Sequence, residues 1–235
     1  MRNDPIIFAD GKVVIGLSTV TDGDMRLAEK TGDALLAVRA NIANFLHRTG
    51  FSLEGTALVL MRYDKDDFTQ YQVIDGAWAG KGMTLAEAVP AADGLATTAR
   101  DLGLFLPLAD CLGVVLYDPE HQALMVSHLG RHNLLQNGAT RSVEFMTKQF
   151  SSKPERLQIW LSPAGGKENF PIWARDNKGL RELALEQFAA ASVNSKNITS
   201  DETDTTISHD YFSHSQSLKT GEGLNKRFAI VARLT

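Results

Sequence analysis

The stretch LFLPLADCLGVVLYDPEHQALMVSHLGRHNLL, Leu104 to Leu135, decides the fold class. Leu104 to Leu108 is an apolar run containing Pro107, followed by Asp110 and Cys111. Residues 112–117 have the length and unbroken apolarity of a buried strand. Asp118-Pro119-Glu120-His121 is a turn signal. Residues 123–126 form a second short apolar strand, followed by Ser127-His128-Leu129-Gly130. Two strands joined by a tight turn pair antiparallel. The start of the first then lies beside the end of the second, which predicts Cys111 and His128 as neighbours opposite each other at one rim. Cys111 is the only cysteine of the chain. A thiol beside an imidazole is either an activated nucleophile or half of a soft-metal site. The competing structural reading treats Cys111 as a small buried hydrophobe. Asp110 weighs against it, because a carboxylate in so apolar a stretch needs partners when buried. Asp110 is expected to orient a neighbour or to accept backbone N–H bonds.

Working outward, residues 12–18 read as a strand. Residues 26–47 place Leu27, Ala34, Leu35, Val38, Ile42, Phe45 and Leu46 at helical spacing, with Gly50 as terminator. Residues 57–61 and 71–74 read as strands, and 76–90 as a loop. Residues 133–150 and 178–191 read as helices, 157–161 and 228–234 as strands. Residues 162–170 form a glycine-containing loop. Residues 194–209 are polar, forming a long loop or one weak strand. Strands and helices interleave without strict alternation, and at least one hairpin is antiparallel. That argues α+β with mixed sheets rather than a doubly wound parallel sheet. No repeat or composition break divides the 235 residues, so one domain over 1–235 is expected.

Composition sets further bounds. Hydrophobic residues make up 43%, enough for a large core, and the net charge is −4. No basic stripe stands out, which argues against nucleic acid. No apolar run reaches membrane-spanning length, and the N-terminus does not read as a signal peptide. A single cysteine fits a reducing cytoplasm and excludes an intramolecular disulfide. Gly76 to Gly82 is one residue short of a phosphate loop, with Gly82 where the magnesium-binding hydroxyl should stand. His209 and His214 flank Tyr211-Phe212 in a polar segment and read as solvated surface histidines. Asp64, Asp66 and Asp67 lack the glycine and glutamate of a calcium loop.

Ala92-Asp93-Gly94-Leu95-Ala96-Thr97, Pro107-Leu108-Ala109-Asp110-Cys111-Leu112, the strand Val114 to Asp118, and His128-Leu129-Gly130-Arg131-His132-Asn133 resemble, in order, the motifs of the YfiH-type laccase-domain family. Its members are also called multicopper polyphenol oxidoreductase-like proteins, purine nucleoside phosphorylases or peptidoglycan editing factors. Gly16-Leu17-Ser18-Thr19, Tyr211-Phe212-Ser213-His214 and Arg227 extend the similarity towards both ends. The resemblance implies packed mixed β-sheets with helices outside, related to the catalytic domain of cytotoxic necrotizing factor toxins. It also implies phosphorolysis of purine nucleosides such as adenosine and inosine, with adenosine deamination in some members. The partners would be a small nucleoside and phosphate, with monomer and homodimer both open.

Active members hold zinc with one cysteine and two histidines, leaving a fourth position for water or substrate. Here Cys111 and His128 match two of those positions. The third reads Tyr63, or Asp64 if the register slips by one. The resemblance therefore implies weakly held zinc or none, with His132 a possible substitute ligand. Arg131, His132 and Arg227 are the candidate substrate contacts. Two other classes stay open: a metal-free cysteine hydrolase in which His128 activates Cys111, and a binding protein that has lost turnover.

Overall fold

Asp118 builds the central turn. Its carboxylate accepts the N–H of Glu120 at 2.8 Å and meets His121 Nδ1 at 2.8 Å. Gln122 completes the reversal with φ +50°. The computed structural model describes residues 3–27, 30–84 and 89–235. In it the strands Leu112–Asp118 (β7) and Ala123–Leu129 (β8) pair antiparallel, from Asp118 opposite Ala123 to Leu112 opposite Leu129. The second strand runs three residues past its expected end at Val126. Ser127 and His128 therefore sit inside the ladder rather than beyond it.

Two mixed sheets stack face to face. The first contains Ile6–Phe8 (β1), Val13–Leu17 (β2), Thr56–Leu58 (β3), Gly103–Leu108 (β6) and Phe228–Leu234 (β11), in the order β1-β2-β11-β6-β3. The second adds Tyr71–Val73 (β4), Gly94–Thr97 (β5), Gln158–Leu161 (β9) and Ile198–Ser200 (β10) to the hairpin, in the order β10-β9-β7-β8-β5-β4. Alternation along each strand sorts its side chains between two cores. Val115, Tyr117, Leu124 and Val126 meet Ile15, Leu104, Leu106 and Ile230 between the sheets. Leu116, Met125 and Ile159 face the other way, against Val143 and Met146 of helix Gly138–Phe150 (α3) and Phe188 of helix Leu180–Ala190 (α4). The first sheet's outer face, with Phe105 and Val231, is covered by helix Gly32–Arg48 (α1) through Val38, Ile42, Phe45 and Leu46. Each such large side chain contributes about 1.5–3 kcal/mol of burial. The result is four layers, helix, sheet, sheet and helices, in an α+β arrangement. Among the described residues no helix is long and apolar enough to cross a membrane.

Helix α1 ends as expected. Gly50 is left-handed at φ +81°, Gly50 N–H bonds His47 O, and Phe51 N–H bonds Leu46 O at 2.7 Å. Its start differs: the expected helix from Arg26 begins at Gly32, and Ala28 and Glu29 lie outside the described residues. Residues 24–27 are instead drawn to β11, with Met25 N–H on Arg227 O and Asp24 Oδ1 accepting Arg227 N–H. The expected helix over 133–150 is two helices, Arg131–Leu135 (α2) and α3. Asn137 at φ +59° breaks it, and Gly138 passes so close that a Cβ there would stand 2.8 Å from Asn133 O. The expected loop over 76–90 holds a short 3-10 turn at Gly76–Trp78, and residues 85–88 lie outside the description. Strand β1 and helix His214–Thr220 (α5) carried no periodic signal.

Gly16 lets α1 approach the first sheet. A Cβ there would stand 2.8 Å from Val231 Cγ1 and 3.1 Å from Phe45 Cζ. Gly16→Ala is expected to cost about 1–3 kcal/mol by overpacking. Gly76→Ala, where a Cβ meets nothing within 4 Å, should stay within about 0.5 kcal/mol of wild type. Denaturant unfolding of the two variants checks the contrast, and equal stability would contradict the close-packing account.

Candidate active site

The ladder register corrects the expected pairing. His128 lies opposite Gly113, not Cys111, and continuing the register puts Cys111 opposite Gly130. All four residues share the face turned towards the first sheet. Diagonal neighbours on such a face are usually too far apart for small side chains to meet. Here the two residues between them are glycines, and the diagonal is open. Cys111 Sγ and His128 Cε1 each lie 3.0 Å from the point where a Gly130 Cβ would stand. Gly113 is equally constrained, since a Cβ there would meet Ile230 and Leu108 at 2.7 Å.

Tyr63 comes from the segment after β3 and reaches the same place. Its ring stands edge-on to His128 at 6.4 Å and is exposed at the rim. Its hydroxyl and the Cys111 thiol lie close enough to influence each other's titration. Burial and the neighbouring thiol raise the Tyr63 pKa. Asp64 instead pairs with Arg62 at 2.6 Å on the surface, so the register-slip alternative fails. His132 stacks on Phe68 at 4.7 Å.

A polar network positions these groups. Asp93, almost fully buried, accepts Lys65 Nζ at 2.6 Å, Gln70 N–H at 3.0 Å and Asn133 Nδ2 at 3.2 Å. Its carbonyl accepts the His128 N–H at 2.8 Å. Asn133 also donates to Phe68 O and accepts from Gly130 N–H. Gln136 accepts Phe68 N–H and donates to Asp66 O. The segment bearing Tyr63 is thus tied to α2, next to His128.

Cys111, His128, Tyr63, Arg131, His132 and Arg227 all line one cavity of about 340 Å³, with Met61, Pro107, Asn133, Phe170 and His214. That volume is at the low end for small-molecule sites. Arg131 lies 4.2 Å over the Phe170 ring and 5.6 Å from Trp173. Among the described residues neither Arg131 nor Arg227 has a carboxylate at ion-pair distance. The wall therefore carries two guanidiniums without an ion-paired carboxylate among the described residues.

Burial dominates the titration of the centre. Desolvation, followed by the Asp110 charge, pushes the Cys111 thiol up to about 12. Desolvation pushes His128 down to about 3, against the Asn133 side chain and with Lys65 and Arg227. At neutral pH the pair is therefore thiol and neutral imidazole. The nucleophilic and metal-binding form of cysteine is the thiolate. Asp110 does not line the cavity. It accepts Thr205 Oγ1 and Ser215 N–H, both at 2.7 Å.

The donors do not make up a metal centre. No three His, Cys, Asp or Glu side chains among the described residues come together to hold an ion. Cys111 and His128 are two donors, His132 is stacked on Phe68, and burial raises the Tyr63 pKa and so keeps the phenol in its neutral, weakly ligating form. A catalytic zinc site takes three protein ligands, and a mononuclear copper site a His/His/Cys set.

Sequence reading missed His214, Phe170 and Asn133 as parts of this site. His214 was taken with His209 as surface, but the two separate: His209 is exposed and His214 lines the cavity. The similarity around Tyr211-Phe212-Ser213-His214 was the available signal.

The family model described as multi-copper polyphenol oxidoreductase laccase matches residues 14–178. Purine nucleoside phosphorylase ORF3 of Streptomyces griseus is 28% identical over 149 residues, 63% of this chain and 56% of its own. A purine nucleoside phosphorylase of Corynebacterium glutamicum is 26% identical over 171 residues, 73% of this chain and 65% of its own. The alignments thus leave more than a third of each relative unmatched. Among solved structures, YlmD of Geobacillus stearothermophilus has a TM-score of 0.81 at 20% identity, covering 95% of this chain and 92% of its own. Hypothetical protein YfiH of Bacillus licheniformis gives 0.79 at 18% identity, covering 95% and 93%. These structures share the fold.

The state of the thiol is directly measurable. Alkylation of Cys111 in the folded protein should run about a hundredfold or more below free cysteine at pH 8, because the thiolate fraction is small. Denaturant should restore the ordinary rate. Fast native labelling with an inflection below pH 8 would show an activated thiolate instead.

Proposed function

We propose that this chain, which belongs to the multi-copper polyphenol oxidoreductase laccase family, binds a purine nucleoside and phosphate in this cavity and transfers the ribosyl group between them. The observation that carries the reading is the pair of arginines, Arg131 and Arg227, in one small cavity with aromatic rings and the Cys111–His128 pair. The names of the Streptomyces and Corynebacterium relatives support the substrate class. Guanidiniums bind phosphate through charge-assisted forks. Tyr63 and His132, which line the cavity, offer ring faces and edges to a base. A hydrogenphosphate oxygen attacks the anomeric carbon, the bond from that carbon to the purine nitrogen breaks, and the proton of the hydrogenphosphate passes to the departing nitrogen. Neutral His128 is suited to hydrogen-bond the base or ribose in place.

The metal-free cysteine hydrolase fits less well, because the pair rests as thiol and neutral imidazole. A binding protein without turnover is favoured by one observation, the incomplete donor set. No step here runs through zinc, and the protein is expected to hold well under one zinc per chain after dialysis against a chelator. One tightly bound zinc per chain would require another donor to complete the site.

The decisive measurement is phosphate-dependent release of base from adenosine and inosine, alongside thermal melting. Cys111→Ala and His128→Ala should each abolish turnover while folding survives. The double variant should be no worse, as for residues acting as a unit. Arg131→Ala and Arg227→Ala should each raise the phosphate KM about tenfold or more, the worth of a hydrogen bond to a charged group. Wild type that binds no nucleoside and cleaves none would defeat the proposal. Binding without cleavage would leave the binding-protein reading.

A further inference from the structure

The roles above leave His214 idle, yet it sits on the cavity wall. Its Nδ1 is buried and has no hydrogen-bond partner among the described residues. An unpaired buried polar atom is costly, and one that stands on a cavity wall is open to pairing with a ligand atom. The charged groups that act most strongly on the ring among the described residues lie on several elements. Arg227, Arg131 and Arg26 disfavour its protonation, and Asp110 favours it. Asp110 is already engaged by Thr205 and Ser215. Arg131 and Arg227 line the same cavity. Two guanidiniums and a ring nitrogen that lacks a partner match a tetrahedral oxyanion, which accepts bonds in several directions at once.

We propose that His214 is the third arm of an oxyanion subsite with Arg131 and Arg227, and that it takes up a proton when the anion binds. The inference rests on the phosphorylase reading only for naming phosphate as the anion. In the free protein, desolvation and the arginines hold His214 below its ordinary pKa. A dianion between the three groups offsets the arginine charges and favours the imidazolium. The bound-state pKa therefore exceeds the free one, and anion affinity rises as pH falls through that interval.

Sulfate is the clean probe, because its own charge is constant from pH 5 to 8. Calorimetric titration of the full chain in two buffers of different ionisation enthalpy counts the protons taken up. Wild type should gain a fraction of a proton per sulfate and bind more tightly at pH 6 than at pH 8. His214→Gln should lose the proton uptake and bind about tenfold more weakly. If that variant melts early, the His214 imidazole signal in wild-type NMR titrations should move to a higher pKa on adding sulfate. Unchanged uptake and affinity in His214→Gln, or no binding of sulfate and phosphate by wild type, would overturn the inference. Phosphate binding that depends on His214 in a protein that cleaves no nucleoside would support it and remove the phosphorylase reading. Nucleoside cleavage with an unaltered phosphate KM in His214→Gln would do the reverse.

Discussion

Three residues, Ala109 to Cys111, carry the chain from the first sheet to the second, across the roughly 10 Å between packed sheets, and the Asp110 carboxylate anchors that crossing. Asp110 is fully buried and held at φ +72°. One carboxylate oxygen takes the Thr205 hydroxyl and the other the Ser215 N–H, while its carbonyl takes Gly165 N–H at 2.7 Å. Charge-assisted bonds of this kind offset the desolvation of a buried carboxylate. They also gather the loop after β9, the segment before α5 and α5 itself around one point. Those pieces bring Phe170 and His214 to the cavity. A non-polar residue at 110 would leave several buried groups unpaired at once.

The opposite wall depends on Asp93 in a similar way. Asp93 and Lys65 form a nearly buried ion pair, and Asn133 joins both to the start of α2. Removing one member of such a pair strands a charge and costs about 3–5 kcal/mol. The network therefore fixes the segment bearing Tyr63 relative to His128. Both walls are anchored by carboxylates, Asp110 and Asp93, that do not line the cavity, which leaves the lining free to stay polar and incompletely paired.

The parts of this structure that are legible in sequence are those with local causes. The apolar runs around Cys111 and the Asp118 turn announce the hairpin, because strand pairing and turn chemistry act over a few residues. Gly50 announces the end of α1 for the same reason. The diagonal meeting of Cys111 and His128 was expected as a direct pair, since the extra length of β8 follows from its flanks, β7 and β5, rather than from its own composition. The split between α2 and α3 hangs on the approach of Gly138 to Asn133 O, which no periodicity reveals. The role of His214 is legible only through the motif similarity around it, for a stronger reason. Its surroundings come from residues 110, 131 and 227, and only the tertiary fold brings them together.

Strand β11 has a consequence for how the protein comes to exist. It lies in the middle of the first sheet, between β2 and β6, although it is the last element of the sequence. Ala229 N–H bonds the Ser18 hydroxyl across a separation of 211 residues. Until β11 leaves the ribosome, β2 and β6 have no shared partner, and the first sheet lacks its central strand. Chains closed by such distant pairings fold slowly and late. The same strand delivers Arg227 to the cavity at its first turn into the sheet. Completion of the core and arrival of the anion-binding charge are one event in time, so a partly made chain should hold neither.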